Sequence, residues 1–251
     1  MKVKKRNCVI NKLSTLFILA VFVLSAYKLI SLLWDYYENR RVLADAQSLY
    51  SVTLNETVSD RSDEVQGGFI DLLAINSDIV GWITIQGTHV NYPILQADDN
   101  RYYLNRNYLK DESRAGSIFM DYRNDCQYLS PNTIIYGHRM KDGSMFAGLK
   151  KYLNQSFYEE NPILLFDTLY ASYEVEVFSA YRTTTDFNYI QTSFDDLMGY
   201  AFFLEKLVEK SEIETDVTLS IEDQILTLST CDHSGNSGNG RLVLHGKLVT
   251  K

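Results

Sequence analysis

Cysteine is scarce in this 251-residue chain, which has three in all, Cys8, Cys126 and Cys231. They are too few and too scattered for a disulfide framework, and no CxxC pair offers half of a structural zinc site. One bridge at most, Cys126–Cys231, is available, but a thiol flanked by polar loop chemistry reads better as free. Acid is missing from the first 34 residues, which hold Lys2, Lys4, Lys5, Arg6, Lys12 and Lys28. The net charge of −8 therefore conceals a remainder with 18 basic and 32 acidic side chains, net −14. That remainder lacks the Lys and Arg excess on which phosphate binding relies, which argues against nucleic acid as a partner. Gly235, Gly238 and Gly240 are followed by no GK[ST], so a phosphate loop is excluded. Asp98, Asp99 and Asn100 lack the rest of a calcium loop, and Cys231, Asp232 and His233 have no second ligand pair. No metal and no cofactor is assigned.

One long apolar run is present. Residues 13–34 are apolar apart from a few hydroxyls and Lys28, about 33 Å as a helix and enough to cross a bilayer core of roughly 30 Å. The basic residues before it and Asp35 and Glu38 after it predict an N-terminus inside the cell and the bulk of the chain outside. A cleaved signal peptide is the alternative, with Ser25 and Ala26 as a weak cleavage site, but apolar character continues to Trp34. The chain then divides into a basic cytoplasmic tail (1–12), a transmembrane anchor (13–34), a stem (35–65) and an extracellular domain (66–251). The stem reads as a solvated helix followed by a linker.

Within the domain, residues 69–75 have helical apolar spacing. Strand-like runs follow at 79–85, 90–95, 116–121, 132–138, 163–166, 171–178, 180–184, 225–230 and 241–249. Short helices fit 145–153 and 155–160. Residues 193–210 form the clearest amphipathic helix, with Leu197, Tyr200, Ala201, Leu204, Leu207 and Val208 on one face and Ser193 with Asp196 resembling a capping box. Short strands joined by turns, with few helices inserted, predict a mainly β fold closed into a barrel.

Residues 225–245, ILTLSTCDHSGNSGNGRLVLH, read as a strand, a polar loop and a second strand. Alternation puts Leu226 and Leu228 on one face, and Thr227, Ser229 and Cys231 on the other. In the second strand Leu242 and Leu244 oppose Arg241, Val243 and His245. Paired as neighbours, these strands bring Cys231 beside Arg241, and a guanidinium both favours thiolate and can bind an oxyanion. A strand-end cysteine can equally be buried filler. Of four histidines, His138 ends an apolar strand after Gly137, His233 lies on the loop, His89 sits in a turn and His245 is well inside a strand. A proton-transfer group is best held on a rigid element, which favours His138, with His233 as the substitute.

The segment TLSTC at 227–231, the arginine ten residues beyond it and YGH at 136–138 resemble the sortases, membrane-anchored cysteine transpeptidases of Gram-positive bacteria. The helix ahead of the first strand and the inserted helix at 193–210 resemble class B in particular. The likeness spans about 69–249. It implies an eight-stranded barrel with His138, Cys231 and Arg241 at one end, and a substrate groove drawing on Asn100, Leu104, Thr185, Tyr189, Ile190 and Ser229. It further implies cleavage of an Asn-Pro-x-Thr-x-like sorting signal after Thr, through a thioester. The freed protein then joins an amine of a peptidoglycan cross-bridge or a pilin. A cysteine protease using water, and a non-catalytic tethered binding domain, are the competing functions.

Overall fold

The computed structural model describes residues 2–54, 64–231 and 239–250, with side chains for 14–50, 64–230 and 239–250. Contacts divide it into two units, Met1–Val42 and Leu43–Lys251. Helix α1 (Lys2–Leu54) includes an apolar stretch long enough to cross a membrane by length and composition. Phe17, Phe22 and Leu24 there stay exposed, which suits contact with lipid rather than with protein. The helix continues without a break through the beginning of the stretch read as a stem.

Within the second unit, eight strands close into one barrel. In chain order these are β1 (Ile79–Thr84), β2 (Asn91–Leu95), β3 (Ile118–Met120), β4 (Asn132–Tyr136), β5 (Ile163–Thr168), β6 (Ser172–Thr184), β7 (Ile225–Cys231) and β8 (Gly240–Thr250). Around the barrel they run β1-β2-β3-β4-β7-β8-β6-β5. The β2–β3 and β4–β7 pairs are parallel, and the other pairs are antiparallel. Closure leaves no edge strand to recruit another chain.

Alternation sorts the strands as expected. Ile83, Ile94, Ile118, Ile135, Leu164, Leu226, Leu228, Leu242 and Leu244 fill the interior. The runs at 171–178 and 180–184 prove to be one strand, β6. Its register against β8 shifts between Val177 and Ser179, so one extra residue is accommodated as a bulge. Val175, Val177 and Ala180 consequently point inward, while Phe178 and Tyr181 point outward.

The outward face of β6, β7 and β8 is covered. Helix α4 (Leu197–Glu209) lays Tyr200, Phe203, Leu204 and Leu207 over Phe178, Tyr181, Ile225 and Val243. Each such burial is worth roughly 1.5–3 kcal/mol, which a 13-residue helix needs because it is marginal by itself. The predicted face was partly wrong: Leu197 is 63% exposed and Val208 48%, whereas Phe203 packs inward. The cap also differs. Asp196, not Ser193, accepts from Gly199 N at 2.7 Å, its carboxylate answering the unpaired amides of the first turn.

Two short helices, α2 (Ile70–Ile75) and α3 (Gln155–Glu160), and 3₁₀ stretches at Gly67–Phe69, Tyr102–Asn105 and Phe146–Leu153 also belong to the unit. The last part of α1 also lies on this barrel. Tyr50 stacks on Trp82 with ring centroids 4.2 Å apart and donates to Asp167 Oδ2 at 2.5 Å, while Gln47 donates to Asn91 O at 2.8 Å.

Candidate active site

The two parallel strands β4 and β7 run level, from Asn132 opposite Ile225 to Tyr136 opposite Ser229. Pairing persists one bond further, where Gly137 N donates to Ser229 O at 3.2 Å. Position 138, two residues past the end of β4, thus follows the strand that neighbours β7, and on the other side of β7 Cys231 and Arg241 sit directly across from each other. Cys231 is described by its backbone, and His233 lies outside the described residues.

Gly137, just past the end of β4, is packed too tightly for a side chain. A Cβ there would collide with Ile118 Cδ1 and the Phe146 ring. His138 is then held twice. Its carbonyl accepts from Phe146 N at 2.9 Å, and its Nε2 lies 2.7 Å from Leu104 O. A carbonyl only accepts, so Nε2 carries a proton and a neutral ring presents Nδ1 as its basic atom. Arg241 is half-buried and donates through Nη1 to Gly240 O at 2.8 Å.

The predicted groove residues fall into two groups. Asn100 and Leu104 belong to the segment between β2 and β3, where the Leu104 side chain is 37% exposed and its carbonyl meets His138. Thr185, Tyr189 and Ile190 follow β6. Thr185 is exposed and donates its amide to Asn239 O at 3.3 Å, beside the start of β8. Tyr189 and Ser229 are both buried, with the Tyr189 hydroxyl 2.9 Å from Ser229 Oγ on β7. The described bonds tie Leu104 to His138, and Tyr189 to the residue two before Cys231.

Polar residues not singled out from the sequence support both groups. Asp121, fully buried beyond the end of β3, receives a two-pronged bond from Arg123 at 2.8 Å on each oxygen. It also accepts from Tyr136 OH at 2.8 Å and Asn100 Nδ2 at 3.0 Å. Burial by itself raises a carboxyl pKa, but these bonds outweigh it and hold Asp121 below the usual carboxylate range. Burial, then Asp121, pushes the Tyr136 hydroxyl up. The only sequence signal was an aspartate ending an apolar strand with an arginine two residues on.

Opposite Thr227 of β7, His245 of β8 is completely buried. Its Nδ1 lies 2.8 Å from Thr227 Oγ1 and its Nε2 2.8 Å from Tyr181 OH. Burial pushes its pKa down to about 3, so the ring stays neutral at ordinary pH.

Residues 83–249 match the Sortase domain family. The chain is 45% identical over 242 residues to Sortase B of Listeria monocytogenes, covering 96% of this chain and 98% of that one. It superposes on sortase B of Bacillus anthracis in complex with AAEK1 with a TM-score of 0.78 at 51% identity, covering 87% of this chain and 99% of that one. On a Staphylococcus aureus sortase B–substrate complex the TM-score is 0.80 at 40% identity, covering 86% and 99%. With this barrel, and with relatives of that closeness over nearly its whole length, the chain belongs to the sortase family of cysteine transpeptidases, in its class B branch.

Proposed function

We propose that Cys231 is the nucleophile, His138 the proton-transfer group and Arg241 the oxyanion partner of this transpeptidase. The single observation that carries the assignment is the direct pairing of Cys231 with Arg241 across β7 and β8, with His138 two residues past the end of the neighbouring β4. In the reactive form the thiolate attacks the Thr carbonyl of an Asn-Pro-x-Thr-x-like sorting signal. The Arg241 guanidinium stabilises the charge gathering on that oxygen. The C–N bond after Thr breaks, and the departing amine takes a proton from the His138 imidazolium, leaving a thioester. An incoming amine then attacks the thioester carbonyl and gives up a proton to the imidazole. Collapse forms the new amide and releases the thiolate. Since Nε2 is committed to Leu104 O, the proton passes through Nδ1.

Asn100, Leu104, Thr185, Tyr189, Ile190 and Ser229 bind the signal peptide. The acceptor is an amine of a peptidoglycan cross-bridge or of a pilin. Residues 13–34 anchor the chain in the cell membrane, with residues 1–12 in the cytoplasm and residues 66–251 outside; the apolar, exposed stretch of α1 supports this.

The test is a peptide ending in Asn-Pro-x-Thr-x, incubated with and without triglycine. The expected product is the Thr–glycine amide, formed only with the amine present and absent for Cys231→Ala. Ligation by Cys231→Ala would sink the assignment of the nucleophile, and release of free acid at the same rate with or without amine would favour a protease.

A further inference from the structure

Three consecutive backbone carbonyls in the loop after β6 are each captured by a side chain from the start of β4 or from the connection that precedes it. Asn132 Nδ2 donates to Tyr189 O at 3.2 Å and to Gln191 O at 2.9 Å, and Arg123 Nη2 donates to Ile190 O at 3.0 Å. Both captors are themselves anchored.

The orientation of Asn132 follows from those bonds. Carbonyl oxygens only accept, so the amide nitrogen faces the loop and Oδ1 faces Thr227 Oγ1, 2.6 Å away. Oδ1 cannot donate, so the single Thr227 hydroxyl proton is spent on it. Thr227 Oγ1 must then accept from His245, which puts the histidine proton on Nδ1. His245 Nε2 is left bare and accepts from Tyr181 OH. The result is one directed chain of hydrogen bonds, Tyr181 to His245 to Thr227 to Asn132 to the loop, and its four side chains are at most 1% exposed.

Arg123 has a different anchor. Its fork grips Asp121, and the same carboxylate holds Asn100, whose Oδ1 in turn accepts from Tyr122 N at 3.0 Å. Asp121 and Arg123 thereby tie Asn100 to Ile190, residues from the two separate segments that supply the groove.

We infer that Arg123 and Asn132 are positioning residues for the sorting-signal groove, Arg123 tying its two segments together through Asp121 and Asn132 holding the Tyr189–Gln191 backbone through the chain that ends on Tyr181. This rests on the reading of the groove given above. Neither residue touches the reacting atoms, so loss of the tie weakens peptide binding and leaves the thiol's own reactivity in place.

The test uses the full chain in detergent micelles. Arg123→Met keeps an apolar stem at a site where the arginine side chain is 36% exposed, Arg123→Lys keeps a charge for buried Asp121 without the fork, and Thr227→Val cuts the chain to Asn132; a thermal melt of each variant confirms that it is folded before KM is read. Arg123→Met and Thr227→Val are expected to raise KM for the peptide about tenfold, the worth of one buried or charge-assisted hydrogen bond, with kcat within twofold. Arg123→Lys is expected to recover part of the loss. Iodoacetamide labelling of Cys231, followed on its tryptic peptide, is expected to stay within twofold of wild type. An unchanged KM in both Arg123→Met and Thr227→Val overturns the inference, and so does a labelling rate that falls in step with KM. If wild-type protein labels at Cys231 yet turns over no peptide, the functional reading fails instead. An independent measurement then decides the chain: ¹⁵N NMR of the histidine ring is expected to find the His245 proton on Nδ1, and a proton on Nε2 overturns the directed chain.

Discussion

The two histidines on either side of β7 stand in opposite circumstances. His138, just past β4, is half-buried with one ring nitrogen on Leu104 O, while His245 in β8 is sealed and has both nitrogens committed. Along β7, the Thr227 row that meets His245 and the Cys231 row that pairs with Arg241 are four residues apart, about 13 Å of strand. That distance separates a half-buried ring with one recorded bond from a sealed one with both nitrogens held. Depth distinguishes them, not residue type: the sealed row has fixed geometry, and the end row, on the reading proposed above, does the chemistry.

Substitutions can break this contrast. His138→Ala is expected to lower kcat/KM about 10²- to 10⁴-fold, the usual worth of a placed proton-transfer group, measured by peptide-to-triglycine ligation. A fall of less than threefold would transfer the role to another group, with His233 next in line. Arg241→Gln is expected to cost about 10²- to 10³-fold in kcat, as for loss of an oxyanion donor, read by the same assay under saturating peptide.

The covered row answers to stability instead. In the unfolded chain a histidine takes up a proton near pH 6.5, but folded His245 resists until about pH 3. The unfolded state therefore binds the extra proton throughout that window, and stability falls as pH drops through it, at about 1.4 kcal/mol per pH unit from this residue. Denaturant melts of the wild type against His245→Gln, from pH 7 to pH 4, are expected to show that slope only in the wild type. Asp121 acts lower down: its pKa is depressed, so its contribution is complete above 3.8 and is lost as pH falls below that value. The smallest expected effect is at the cover itself. Asp196→Ala removes the cap of α4 and is expected to cost about 1 kcal/mol in the same melts.

Much of the end row was readable from local pattern. Alternation in ILTLSTC and RLVLH put Cys231 and Arg241 on one face, and β7–β8 pairing is the shortest connection that uses it. Gly137 before His138 likewise marked a strand exit. What escaped depended on distant partners. A bulge at Phe178 restores alternation across what looked like two strands, and a break of one residue in period is indistinguishable from a turn. Asp196 outcompeted Ser193 as a cap because it alone reaches Gly199 N. Tyr50 found Trp82, and Asp167 a further 85 residues on, and Asp121 gathered Asn100, Arg123 and Tyr136 from three segments. No window of sequence contains such a set.

The parallel pairing of β4 with β7 governs when the site comes into being. Parallel neighbours cannot be joined by a hairpin, so the chain must build β5, β6 and α4 before β7 can lie beside β4. Position 138 is synthesised early, whereas positions 231 and 241 come with the last two strands. A chain ending between positions 138 and 231 carries the histidine without the thiol, and one ending between 231 and 241 carries the thiol without the arginine. An acyl-transfer centre of the kind proposed above would therefore need both late strands, β7 and β8, in place beside β4 before it could act.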